Sequence, residues 1–279
     1  MPELPEVETV VRGLAPVLTG RRLASAIAYR PDLRRPIPHD LGQRLTGATV
    51  TAVTRRAKYG LIATDRGDTL LFHLGMSGRM RLDPADTGPH DHVIFTTEEG
   101  RRIVFTDPRR FGLLALAATA DLVAHPLLAG IGPEPLGPAF TAAYTAGRFA
   151  GRIAPVKALL LDQRIVAGVG NIYAAEALHR AAIHPERAGG SLSRAELAAL
   201  VRALRATLRE AIAAGGSSLR DHIGVDGVLG LFQKAWRVYG RAGEPCGACG
   251  GEIVRSVQSG RSSFFCPVCQ PLAGERGGG

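Results

Sequence analysis

Four cysteines constrain the fold of this chain more than any other feature. Cys246 and Cys249 form one Cys-x2-Cys pair and Cys266 and Cys269 a second, with sixteen residues between the pairs. That spacing suits two knuckles closing a tetrahedral site of four thiolates around a structural Zn2+. Four thiolates leave the metal no open position, so it would organise a ribbon and not catalyse. Residues 252–257 and 262–265 are expected to form a β-hairpin between the knuckles. Two disulfides or a redox dithiol are the competing readings. All four cysteines lie in the last 34 of 279 residues, which argues against a secreted disulfide scaffold. Arg261 falls near the hairpin tip, between Ser259-Gly260 and Ser262-Ser263, facing either a phosphate or plain solvent.

Ahead of the ribbon the hydrophobic period changes twice. Val7, Val10, Val11, Leu14 and Leu18 recur at three- and four-residue offsets, which predicts a helix from about Pro5 to Thr19, stopped by Gly20. Short β-type runs then follow at 24–30, 48–56, 61–64, 69–74, 92–97, 102–106 and 111–117. Turn signals such as Asp65-Arg66-Gly67-Asp68 and Glu98-Glu99-Gly100 part them. Strands so closely spaced, with no helix between, predict an antiparallel sandwich or barrel. Ile131–Pro138 is rich in Pro and Gly and marks the main domain boundary. Beyond it, 156–161, 172–182 and 193–214 read as helices, the last opened by a Ser193/Glu196 capping box. Residues 217–239 hold no sustained period and read as a long loop. The fold class is therefore α+β. Residues 1–134 carry the helix and β-sandwich, 135–240 the helical domain, 241–270 the four-cysteine ribbon, and 271–279 a disordered Gly-rich tail.

Composition narrows the partners. No run of 18 apolar residues could span a membrane, and Glu3, Glu6 and Glu8 stand where a signal peptide would carry Lys or Arg. A cytosolic protein is expected. Net charge is +9, divided as +2 over residues 1–134 and +7 over 135–279, which favours a polyanionic partner. Genomic base bias is the plainer source of the Arg excess. The same bias draws attention to the three lysines, Lys58, Lys157 and Lys234.

The first residues, Met-Pro-Glu-Leu-Pro-Glu-Val-Glu, hold the main chemical candidate. A small second residue permits Met1 removal, which would leave Pro2 as a free secondary amine beside Glu3. The α-amino pKa is about 7.7–8.0 against about 10.4 for Lys, so near pH 7.5 roughly a quarter is neutral, against about a thousandth. Pro2 is thus a candidate nucleophile with a carboxylic acid at hand. A frayed helix start with capping carboxylates is the alternative.

Further motifs lie in predicted loops. Gly168-Val169-Gly170-Asn171 joins two helices with no strand before it, which fits a helix–turn–helix-type grip on a nucleic-acid backbone better than a dinucleotide site. Arg55-Arg56-Ala57-Lys58-Tyr59 ends one strand. His73-Leu74-Gly75-Met76-Ser77-Gly78 sets Met76 in a glycine-flanked turn. Thr106-Asp107-Pro108-Arg109-Arg110-Phe111-Gly112 sets Phe111 beside two arginines, either as a wedge for a parted base step or as a buried strand residue. His90 and His92 flank Asp91, and strand alternation would turn both imidazoles the same way.

Taken together, these motifs resemble the formamidopyrimidine-DNA glycosylase family from Met1 to about Gln270, in order along the chain. The resemblance implies an N-terminal β-sandwich, a helix-two-turn-helix domain and a C-terminal zinc finger, with damaged double-stranded DNA held in a cleft between them. It implies that Pro2 attacks C1′ of an oxidised purine nucleotide, and that a Schiff base then drives β- and δ-elimination. Glu3 matches the family's general acid/base, with Glu6 in support. Lys58 matches the residue assigned to proton transfer in β-elimination, and Arg261 the zinc-finger residue linked to δ-elimination. Met76, Arg109 and Phe111 match the trio that fills the space left by the flipped base. His73, His90, Arg152 and Asn171 match DNA-backbone contacts, Arg152 in a stretch where the family is usually Lys-rich. The family places the 217–239 loop over the extruded base, with an aromatic common where Leu231 stands. Monomeric action and one structural Zn2+ are further family expectations.

Two rivals stay open at this level. An endonuclease VIII-like glycosylase shares fold and nucleophile but prefers oxidised pyrimidines; such chains tend to open with Gly where Leu4 stands and lack the Met and Arg-x-Phe wedge. A non-catalytic zinc-ribbon DNA-binding protein would require Met1 retained and Pro2 blocked. A metal-dependent nuclease has less support, since no carboxylate cluster for Mg2+ stands out.

Overall fold

The structure, a computed structural model, describes residues 1–217, 225 and 230–272. Residues 218–224 and 226–229 of the 217–239 loop, Leu229 among them, and tail residues 273–279 lie outside the described residues. The chain divides into two compact units, 1–130 with 211–233 and 131–210 with 234–279.

The first unit opens with helix α1 (Leu4–Leu18), whose buried stripe is Val7, Val10, Val11, Leu14 and Leu18, as the sequence period predicts. Eight strands follow: β1 (Leu23–Ala28), β2 (Val50–Arg56), β3 (Tyr59–Thr64), β4 (Asp68–His73), β5 (Arg79–Leu82), β6 (Asp91–Thr97), β7 (Arg102–Thr106) and β8 (Leu113–Ala118). They form two four-stranded antiparallel sheets, ordered β1-β6-β7-β5 and β2-β3-β4-β8. One core joins them: Val10 and Leu14 of α1 meet Val53 and Phe72 from one sheet and Val93 and Phe105 from the other. Burial of that apolar surface holds the sandwich together, at about 25 cal/mol per Å2 removed from water. A short helix α2 (Leu41–Leu45) and strand β5 are additions to the sequence reading.

Two local expectations are corrected. The last strand begins at Leu113 and not at Phe111, because Gly112 donates its N–H to the Asp107 carboxylate at 2.7 Å and keeps 107–112 a loop. His90 and His92 do not face the same way. A register irregularity between Asp91 and Val93 breaks the alternation, leaving His90 exposed while His92 turns inward and donates Nε2–H to the Asp107 carbonyl at 2.8 Å.

The second unit is helical and ends in the ribbon. Helices α3 (Ala142–Phe149), α4 (Val156–Leu161), α5 (Asn171–Arg180) and α6 (Arg194–Ala213) precede strands β9 (Val254–Gln258) and β10 (Arg261–Phe265). The Ser193/Glu196 box is present, with bonds of 2.8 and 3.2 Å in its two directions. Ser259 and Gly260 both take positive φ, +49° and +74°, which closes β9 onto β10 in a two-residue turn and puts Arg261 directly after it. Ala175, Val238, Cys246, Ile253 and Cys266 form a small separate core under the ribbon.

Candidate active site and metal centre

At the start of α1, Met1 is exposed while Pro2, Glu3 and Glu6 are buried. Buried carboxylates require partners. Glu6 accepts the Glu3 N–H at 2.9 Å, closing a capping box, and the Ser217 N–H at 2.8 Å with its other oxygen. Glu6 is thereby committed to holding the helix start, and Glu3 stands at the N-cap next to Pro2.

Lys58 lies in the two-residue turn between β2 and β3, with Ala57 at φ +53°. Arg55 braces that turn. Its Nη1 donates to the Ala57 carbonyl at 2.8 Å and its Nε to Glu8 of α1 at 2.9 Å, so the opening helix and the Lys58 turn share one clamp. His73 pairs with Tyr59 across the sheet, ring centroids 5.0 Å apart. Burial first, then the nearby Lys58 and Arg34 charges, push the His73 pKa down to about 4. His73 is therefore neutral at pH 7. Gly75 donates its N–H to Nδ1 at 2.9 Å, which leaves the proton on Nε2 as a donor.

The two wedge loops are locked by Asp107, which is fully buried. One oxygen accepts from the Ser77 hydroxyl at 2.6 Å and the other from Gly112; Ser77 Oγ in turn accepts the Arg109 N–H at 3.1 Å. Gly75, at φ +62°, lets the 73–78 loop pass so close that a Cβ there would lie 2.3 Å from the Phe111 carbonyl carbon. The tips face outward, with Met76 42% and Phe111 41% exposed, and the Arg109 guanidinium carbon sits 4.9 Å from the Phe111 ring centroid. Thus Met76, Arg109 and Phe111 belong to one locked pair of loops, and the Asp107 N–H bonds the His90 carbonyl at 2.9 Å.

In the second unit, Asn171 follows the Gly170 N-cap of α5, and its Nδ2 donates to the Ser262 carbonyl at 2.9 Å. Lys157, only 1% exposed, reaches the same carbonyl at 2.8 Å and the Ser263 hydroxyl at 2.7 Å. Arg261 faces a cavity of about 330 Å3 that Lys157, Leu161, Asp162 and Gln258 also line. Arg152 is exposed in the α3–α4 connection, its carbonyl accepting the Gly190 N–H at 2.9 Å. Gln163 shapes the glycine turn, accepting the Gly168 N–H and donating to the Val169 carbonyl, both at 2.8 Å.

The four cysteine sulfurs all lie within 4.8 Å of one another, and among the described residues no other group of three or more His, Cys, Asp or Glu is placed to share an ion. Four converging thiol donors fit a closed metal site. Residues that carry this architecture although the sequence reading assigns them no role are Glu8, Arg55, Asp107, Lys157 and Glu176. The scarcity of Lys flags Lys157; a lone carboxylate or guanidinium in a basic chain gives no comparable signal.

A sandwich with a proline and carboxylates buried at the start of its first helix, apolar and cationic loop tips, and a separate four-cysteine ribbon defines a nucleic-acid-processing enzyme. Three family models match in order: the formamidopyrimidine-DNA glycosylase N-terminal domain over residues 1–114, its H2TH domain over 131–222, and a zinc finger found in FPG and IleRS over 243–272. The formamidopyrimidine-DNA glycosylase of Novosphingobium aromaticivorans is 61% identical over 270 residues, 97% of this chain and 100% of that one. That of Paracoccus denitrificans is 58% identical, again over 97% of this chain and 100% of its own length. The crystal structure of MutM (Fpg) from Thermus thermophilus superposes with a TM-score of 0.87 at 44% identity, covering 96% of this chain and 98% of that one. Lactococcus lactis Fpg in complex with abasic-site DNA gives 0.89 at 35% identity, covering 97% and 100%. The chain belongs to the formamidopyrimidine-DNA glycosylase family. It is a DNA glycosylase of base excision repair for oxidised purines, in a family that also has lyase activity.

Proposed function

We propose that Pro2, freed by loss of Met1, is the nucleophile of this glycosylase. Its nitrogen bonds to C1′ of the damaged nucleotide as the glycosidic bond breaks, and the base leaves with the bonding pair and a proton. The C1′–O4′ bond then breaks, O4′ takes its electron pair and a proton, and the open-chain iminium so formed acidifies the C2′ proton. Its removal expels the 3′ phosphate, and a second elimination expels the 5′ phosphate. Glu3 serves as general acid/base, Lys58 moves the proton in the first elimination, and Arg261 serves the second and holds a phosphate. Met76, Arg109 and Phe111 fill the space of the extruded base. His73, His90, Arg152 and Asn171 grip the backbone; His73 does so as a neutral donor. Zn2+ on Cys246, Cys249, Cys266 and Cys269 folds the ribbon and takes no part in the chemistry. The enzyme acts as a monomer in the cytoplasm, on the nucleoid.

The observation that supports this reading is the burial of Pro2 and Glu3 side by side at the start of α1, where Glu6 accepts the Glu3 N–H and the Ser217 N–H and fixes the helix start. The test is borohydride trapping on duplex DNA containing 8-oxoguanine opposite C. A covalent adduct is expected, and it should vanish in Pro2→Gly and in a chain with one extra residue before Pro2. Trapping by the extended chain would rule out the N-terminal amine.

A further inference from the structure

His179 stands in the last turn of α5, 8% exposed, with Nε2 3.4 Å from Cys246 Sγ. Its Nδ1 is buried without a hydrogen-bond partner among the described residues. A neutral imidazole carries one N–H, and placing it on a buried nitrogen that meets no acceptor would waste a hydrogen bond. The proton therefore belongs on Nε2, aimed at the sulfur. Zn2+ held by four thiolates carries a net charge of −2, which N–H···S bonds offset. Cys249 receives one from the Gly251 N–H at 3.4 Å. Cys246 is itself buried, so its charge is screened little by solvent.

We propose that His179 is an outer-shell residue of the metal site, donating Nε2–H to the Cys246 thiolate and fastening the ribbon to α5. The proposal rests on the zinc reading of the four cysteines. It adds a side-chain donor from outside the ribbon and makes α5 a strut. Asn171 grips Ser262 at one end of the helix, and Glu176 accepts the N–H groups of Arg237, Val238 and Tyr239 at 2.8–3.0 Å in the middle. His179 meets the metal ligand at the other end. Loss of an outer-shell partner costs about 10–100-fold in metal affinity.

The test compares the full-length parent with His179→Phe, which keeps a ring and drops the donor, and His179→Gln, which keeps a donor. Zinc content is measured, then Co2+ is substituted; the thiolate-to-cobalt charge-transfer band and metal transfer to a colorimetric chelator are followed. His179→Phe is expected to lower metal affinity about 10-fold or more and to move the band to lower energy, since the sulfur becomes more electron-rich. His179→Gln should recover much of both. A parent that binds neither zinc nor cobalt would sink the zinc reading and this proposal with it. A metal-binding parent whose Phe variant keeps its band and affinity, or whose Gln variant loses as much as Phe, would overturn this proposal alone. Nitrogen NMR of the unmutated protein gives an independent reading should the Phe variant misfold: the proton is expected on His179 Nε2, and finding it on Nδ1 would also overturn the assignment.

Discussion

Asp107 shows how one buried carboxylate governs residues that the chemistry would use. In Asp107→Ala the Ser77 hydroxyl and the Gly112 N–H lose their acceptor. Each buried group left unpaired costs about 1–3 kcal/mol, so urea unfolding should show a loss of about 2–6 kcal/mol. Phe111→Ala touches an exposed tip and should change stability by under about 0.5 kcal/mol while weakening binding to lesion-containing DNA in an anisotropy titration. The two variants thus separate the tip from its mount. His73 makes a pH prediction. Its pKa falls from 6.5 to about 4 on folding, so above pH 6.5 both states are neutral and it contributes no pH dependence. As the pH drops from 6.5 toward 4, the unfolded chain takes up a proton that the folded one refuses, and stability falls by up to about 1.4 kcal/mol per pH unit. Urea unfolding at pH 7 and pH 4.5 should show a smaller drop in His73→Gln than in the parent.

At the scale of elements, the ribbon hairpin is held by α4 and α5, with Lys157 and Asn171 sharing the Ser262 carbonyl beside Arg261. Lys157→Met keeps the aliphatic stem and removes two donors to the hairpin. If Arg261 drives the second elimination, this variant should accumulate the β-elimination product on a sequencing gel while its zinc content and base-excision rate stay near the parent's. The longer helices were legible because their periods are long enough to count: α1, α5 and α6 fall within a residue or two of expectation. What escaped was short or non-local. β5 has four residues with only Met80 buried, so it shows no alternation to count. The inward turn of His92 depends on a register irregularity that no pattern of side chains announces. Candidate site residues were legible as motifs, but the clamps beneath them, Arg55–Glu8 and Ser77–Asp107, join positions 47 and 30 residues apart.

For the whole molecule, the return of residues 211–233 to the first unit is a fact of the same non-local kind, carried in part by a bond from Ser217 to Glu6 across 211 positions. Charge, by contrast, is additive along the chain and was readable from the start: the excess sits in residues 135–279. Counterion release turns that excess into a measurable slope, since log K falls with log salt by about 0.9 per neutralised phosphate on duplex DNA. The candidate backbone grips divide on this criterion. Arg152 is an exposed cation, so Arg152→Ala should weaken binding on every sequence and flatten the slope by about one unit. Asn171 is neutral and already bonded to Ser262, so Asn171→Ala should weaken binding with the slope unchanged. His73, held neutral by burial, should behave like Asn171 at pH 7, although a surface histidine near its ordinary pKa would add part of a charge. Titrations of parent, Arg152→Ala, Asn171→Ala and His73→Gln across a salt series would show one altered slope among the three variants. A flattened slope in His73→Gln would mean that the imidazole is charged on DNA, and an unchanged slope in Arg152→Ala would remove that residue from the phosphate contacts.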